Sequence, residues 1–171
     1  MKFKFKVNYV IIPLVTVLVA VIGGMFSSSG MGWYNTELVK PALTPPNWLF
    51  PIAWTTIFIL TAISALIVWN SGQDEKRYLL IFKKKIEDNL LPFLMGLFIA
   101  NAVLNVCWSL LFFTLHFTYA SFVEMIFLEG TVIALMILIY KRSKTSSLLL
   151  LPYAVWVAFA TYLTSQIILI N

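Results

Sequence analysis

Residues 90–113 read LLPFLMGLFIANAVLNVCWSLLFF. No acid or base interrupts them, and the run exceeds the ~20 residues that carry an α-helix across the hydrocarbon core of a bilayer. Its polar breaks are Asn101, Asn105 and Ser109. Four further runs of the same kind lie on either side, at roughly Val7–Phe26, Trp48–Trp69, Tyr119–Tyr140 and Leu148–Ile170. The spacing predicts an all-α membrane protein: a bundle of five transmembrane helices with a structured Pro- and Trp-rich loop between the first two. Residues 1–171 then form one domain, with little room for a catalytic or nucleic-acid-binding module.

Composition agrees. Hydrophobic residues make up 61% of the chain and charged ones 11%, against ~25% charged in an ordinary soluble domain. Lipid supplies the apolar exterior that water would not tolerate. The formal charge of +5 sits at the ends of the apolar runs, where topology signals belong, so nucleic acid is not an expected partner. Lys2, Lys4, Lys6, Lys76, Arg77, Lys83, Lys84, Lys85, Lys141, Arg142 and Lys144 fall on one side of a five-span arrangement, and only Lys40 on the other. The positive-inside rule therefore predicts a cytoplasmic N-terminus and an outside C-terminus in a multi-pass protein of the cytoplasmic membrane. The first apolar run is longer than a signal-peptide core, so a retained helix is expected there.

Two connections carry more than polarity. Residues 74–88 interleave charge with Tyr78, Leu79, Leu80, Ile81 and Phe82. Both an amphipathic helix on the lipid surface and a plain solvated connector fit that pattern. Residues 27–47 contain Trp33, Tyr34, Pro41, Pro45 and Pro46. Proline fixes its own backbone and restricts its predecessor, so the loop should be stiff: either a lid over the bundle or part of an interfacial aromatic belt.

No phosphate-binding loop, dinucleotide glycine pattern or zinc spacing is present. The lone cysteine, Cys107, reads as a packing residue. His116, the sole histidine, has no nucleophile motif beside it. No metal and no bound cofactor are expected. The informative polar residues lie inside the helices. Asn101, Asn105, Trp108 and Phe112 share one helical face, as do Tyr153, Trp156, Ala160 and Thr164, and Trp54, Phe58, Thr61 and Ala65. Asparagine is costly against lipid, so these faces should turn inward. They suit either ordinary helix packing with asparagine as interhelical glue or an apolar pocket for a flat hydrophobic ligand. Glu124 and Glu129 point about 140° apart on one helix, which argues against a paired acid–base site. Glu124 lies about one turn from the outer surface, where it can snorkel or hydrogen-bond. Glu129 is deeper and marks a candidate coupling site.

Trp33-Tyr34, Lys40-Pro41, Thr44-Pro45-Pro46-Asn47-Trp48, Phe50-Pro51 and Trp54-Thr55 together resemble the TspO/MBR family, the tryptophan-rich sensory or translocator proteins, also called peripheral benzodiazepine receptors. Leu104-Asn105, Trp108-Ser109, Phe112-Phe113, Glu124, Pro152-Tyr153, Trp156 and Phe159-Ala160 continue the match. The resemblance implies a five-helix bundle, usually a homodimer, that binds porphyrins such as protoporphyrin IX. By motif, the ligand-binding residues would be Trp33, Trp48, Trp54, Asn105, Trp108, Tyr153, Trp156 and Ala160. Trp54 and Trp156 match tryptophans implicated in light-dependent porphyrin breakdown. There are departures. Phe58 stands where the family commonly has Tyr, Asn101 where it has Gln, and Thr164 where it has Asn. Residues 163–171 contain no Tyr followed by Lys or Arg, so cholesterol is not supported as a partner.

The leading expectation is membrane-embedded binding of porphyrin-like ligands for sensing, transport or disposal. The alternatives are a light- and oxygen-dependent porphyrin-degrading enzyme using Trp54 and Trp156, a proton-coupled transporter using Glu129, and a structural or regulatory membrane partner with no small ligand.

Overall fold

A computed structural model describes the backbone of residues 6–74 and 81–171, and the side chains of residues 6–71 and 90–171. The described residues form seven α-helices: α1 Asn8–Ser29, α2 Met31–Thr36, α3 Leu49–Asp74, α4 Ile81–Ser109, α5 Thr118–Tyr140, α6 Lys144–Leu148 and α7 Leu151–Ile170. A π-helical turn, Leu110–Thr114, extends α4. Five spans are long and apolar enough to cross a membrane: Asn8–Ser29, Leu49–Ser71, Leu90–Thr114, Thr118–Tyr140 and Lys144–Ile170.

Inside lipid, apolar side chains gain little by turning inward, so small and polar residues decide which face packs. α5 is the central helix, packed against α4 and α7. It buries Ser121, Glu124, Met125, Leu128, Val132, Leu135 and Ile139, a three–four spacing that keeps one stripe on one face. Two clusters of buried residues result. One holds Trp108, Phe112, Phe113, Met125, Leu128, Tyr153 and Val157. The other, toward the opposite end, holds Val68, Leu94, Leu135, Ile139 and Leu150. α1 is different. Of its residues only Asn8 and Gly23 are buried, so it leans on the bundle from the lipid side.

The sequence expectations hold for number and order of spans and need adjustment at the ends. α1 continues to Ser29, and the expected loop begins with the short helix α2. The fifth apolar run corresponds to α7, and the short helix α6 precedes it where a connection was expected. Ser143 caps α6 by accepting a hydrogen bond from the Ser146 N–H at 3.2 Å. Ser146 then exchanges hydrogen bonds with Ser64 of α3: Ser64 Oγ donates to the Ser146 carbonyl at 2.9 Å, and Ser146 Oγ to the Ser64 carbonyl at 2.8 Å. These bonds pin α6 across the bundle. Arg142 Nε adds a bond to Ser71 Oγ at 2.9 Å. The expectation for residues 74–88 falls largely outside the described residues; α4 is helical from Ile81.

The π-turn closes with Leu115 N–H on the Leu110 carbonyl at 3.0 Å and Phe117 N–H on the Leu111 carbonyl at 2.8 Å. His116 takes a left-handed backbone, φ 55°, an uncommon conformation for a residue with a side chain. The widened turn brings its backbone against the α1–α2 junction. A Cβ placed on Gly30 would land on the Phe113 carbonyl. Glycine is required there by the close approach of two backbones.

Gly30→Ala should therefore destabilise the fold by about 1–3 kcal/mol, the range for overpacking, and lower the melting temperature of the purified protein by several degrees. Gly32→Ala, whose Cβ would meet nothing within 4 Å, should leave it unchanged. Equal melting of the two variants would refute the close contact.

Candidate functional site

Two cavities lie side by side along α1, α3 and α4. The first, on the side of the α2–α3 connection, encloses about 400 Å³, within the range of sites for drug-sized ligands. Its walls include Val19 and Gly23 of α1, Tyr34 of α2, Asn47, Phe50, Trp54 and Phe58 at and beyond the start of α3, and Asn105, Trp108 and Phe113 of α4 and its π-turn. The second, toward the N-terminal end of α1, encloses about 140 Å³ and runs between Ile11–Val19, Phe58–Trp69 and Met95–Asn105, with Tyr153 beside it. Val19, Phe58 and Asn105 border both.

The first cavity is walled by aromatic rings held by one another. The Trp54 ring lies 5.9 Å from Trp108, 5.7 Å from Phe58 and 6.1 Å from Tyr153, centroid to centroid. Trp108 stacks on Phe112 at 5.6 Å with planes 17° apart. Asn105 donates from Nδ2 to the Tyr153 hydroxyl at 3.2 Å, which joins α4 to α7. Asn101 donates to Thr131 Oγ1 at 2.8 Å, which joins α4 to α5. Among the described residues the Trp108 indole N–H is buried without an acceptor. A wall of indole and phenyl rings suits a flat apolar ligand.

The connection between α2 and α3 forms the roof. Its fastening is polar and comes from opposite ends of the chain. Asn171 accepts from the Val39 N–H at 3.0 Å and donates to the Val39 carbonyl at 3.1 Å, so one side-chain amide meets both backbone groups of a roof residue. Asn35 Oδ1 accepts from Lys40 Nζ at 3.2 Å and from Asn47 Nδ2 at 2.9 Å. Lys40 Nζ sits 4.3 Å from the centre of the Tyr34 ring, a cation–π contact. Burial holds the Tyr34 phenol above its ordinary range.

The structure sorts the residues singled out in the sequence. Trp54, Asn105 and Trp108 line the first cavity and Tyr153 the second. Asn101, Asn105, Trp108 and Phe112 are all buried, as their shared face required. Trp48 is 64% exposed. Trp33 stacks on His116 at 4.1 Å, away from both cavities. Trp156 packs edge-on to Phe50 at 5.9 Å, behind the cavity wall, and Ala160 packs against the same core. Glu124 is buried, and neither carboxyl oxygen has a hydrogen-bond partner among the described residues, so the expected surface bond is not made. Glu129 is half-buried with one oxygen unpartnered. Neither glutamate lines either of these two cavities. The sequence reading missed the contribution of α1. Gly23 was its one signal: a Cβ there would lie 3.4 Å from Ser109 Oγ, marking where α1 comes close to α4.

Comparison with known proteins gives a consistent picture. A sequence profile described as the TspO/MBR family matches residues 11–170. The chain is 36% identical over 149 residues to the tryptophan-rich protein TspO of Chlorobaculum tepidum, covering 87% of this chain and 86% of that one. It is 35% identical over 167 residues to the protein of the same name from Archaeoglobus fulgidus, covering 94% and 98%. It is 28% identical over 145 residues to the human translocator protein, covering 83% and 77%.

Loss of the Asn171 amide should loosen the roof. In Asn171→Leu, hydrogen exchange at the Val39 amide should accelerate by roughly an order of magnitude, the equivalent of about 1.4 kcal/mol of lost bonding. Amides in the middle of α5 should keep their protection. Unchanged exchange at Val39 would show that the roof is held by other contacts.

Proposed function

The chain belongs to the TspO/MBR family, and on that premise we propose that this multi-pass membrane protein binds a flat, hydrophobic, porphyrin-like ligand in the cavity beneath the α2–α3 connection. The observation that carries the reading is a cavity of about 400 Å³ lined by Trp54 and Trp108, whose rings pack against each other at 5.9 Å, with Asn105 at its margin. Indole faces stack on a macrocycle. The Asn105 amide meets a polar group on its rim. The roof fastened by Asn171 and Asn35 keeps water from the bound ring. Sensing, transport and disposal all begin with this binding step. The distribution of basic residues supports a cytoplasmic N-terminus with the roof on the outer face, and the family resemblance supports a homodimer.

A second reading has one observation in its favour. Trp54 lines the cavity, so its indole is within reach of an excited porphyrin and of the oxygen species that light generates there. Trp156 stands behind Phe50, so photooxidation would begin at Trp54.

Titration of the purified protein with protoporphyrin IX in the dark should quench tryptophan fluorescence saturably. Trp54→Phe should weaken binding by about fivefold, since a favourable aromatic pair is worth about 1 kcal/mol. Phe127→Leu, on the exposed face of α5, should bind as the wild type does. Absence of saturable binding would refute the reading. Illumination of the saturated sample then separates the two roles. A new absorption spectrum that Trp54→Phe fails to produce marks turnover, and an unchanged spectrum marks binding alone.

A further inference from the structure

The second cavity is unlike the first. Its roughly 140 Å³ is lined by α3 residues from Phe58 to Trp69, which stand about 16 Å apart along the helix at 1.5 Å per residue. That volume is too small for a macrocycle and leaves room for one alkyl chain. Its polar side chains are largely engaged elsewhere. Thr16 Oγ1 donates to the Ile12 carbonyl at 2.9 Å, Asn101 to Thr131, and Asn105 to Tyr153; only the Thr61 hydroxyl is buried without a partner. The remaining wall is Ile, Val, Ala, Met, Phe and Trp. At the junction of the two cavities stands Phe58, an apolar ring. At the other margin Ile11 and Ile99 are exposed toward lipid, so a chain in the slot has a way out into the bilayer.

We propose that the ligand is a flat macrocycle bearing one long, linear apolar chain, with the ring in the first cavity and the chain in this slot. The proposal rests on the ring-binding reading above and adds the tail. Hydrophobic transfer does not drive the chain into the slot, because lipid is equally apolar. Two other effects do. An unfilled slot forfeits the dispersion contacts of its lining atoms. A chain attached to a bound ring enters intramolecularly, at a high effective concentration that free lipid chains lack.

The test compares the monomethyl and monododecyl esters of protoporphyrin IX, which differ only in chain length, on the full chain in phosphatidylcholine nanodiscs. Partitioning into the bilayer is common to all variants and cancels when they are compared. Ala62→Leu and Ala102→Leu each narrow the slot, since both alanines line it and not the first cavity. The dodecyl-to-methyl affinity ratio should fall about tenfold in either variant, with the affinity for the monomethyl ester unchanged. A ratio that stays the same in both variants overturns the tail and leaves ring binding standing. If neither ester binds saturably, the ring-binding reading falls too. A measurement on the unaltered slot covers the case in which leucine disturbs folding. A bromine at the end of the dodecyl chain should quench Trp69, beyond the effect of the unbrominated ester. Excess monomethyl ester should reverse that quenching, and Trp69→Phe should abolish it. Quenching that excess monomethyl ester does not displace places the chain in bulk lipid and overturns the proposal.

Discussion

The hydrogen bond from Asn105 to the Tyr153 hydroxyl at 3.2 Å joins α4 to α7 between the two cavities. In a bilayer, apolar side chains are indifferent to facing in or out, and a polar group left in hydrocarbon costs several kcal/mol. Rotation of either helix would separate this pair. With α4 fixed, Trp108 and Phe112 follow on the same face and Asn101 meets Thr131 on α5. With α7 fixed, Val157 and Thr164 turn toward α5. A few polar contacts thus orient helices whose hydrophobicity alone would leave them free to turn.

Legibility in the sequence follows the same physics. The five spans could be read because length without charge is a strong signal in any order of residues. The inward face of α4 could be read because asparagine has one comfortable direction in lipid. Tryptophan has two. Trp54 and Trp108 line the cavity while Trp48 is exposed and Trp33 stacks on His116, yet each is an indole near a helix end, and an interfacial ring satisfies the same preferences as a buried one. Motif resemblance grouped all of them. Packing alone divides those at the cavity from those outside it. The short helix α6 ahead of the last span was hidden for another reason. Reciprocal Ser64–Ser146 bonds need a partner remote in sequence, and serine at a helix start resembles serine in a span.

The two cavities owe their shape to unequal helix support. α3 and α4 supply two sides of the wall and are locked by buried contacts. α1 completes it while burying only Asn8 and Gly23. The polar ties of α1 lie at its ends: Asn8 Nδ2 donates to Asn70 Oδ1 at 3.3 Å, and Ser29 meets Thr114 Oγ1 at 2.9 Å. Between those ends the wall rests on apolar contact alone, beside the slot and beside the wider chamber.

The π-helical turn at Leu110–Thr114 has a consequence for comparing this chain with others. A turn closed from residue i to i+5 contains one more residue than an α-turn. Trp108, Ser109, Phe112 and Phe113 are all buried, and the extra residue carries the Phe113 backbone to Gly30. A relative that is α-helical throughout would be one position shorter here. An alignment of the two is correct only with a single-residue gap inside 110–114. Without that gap, every position before the next insertion would be matched to a neighbour about 100° away around the helix, and inward residues would be scored against outward ones. Deletion of one residue in this turn is, for the same reason, a change of register rather than a change of length.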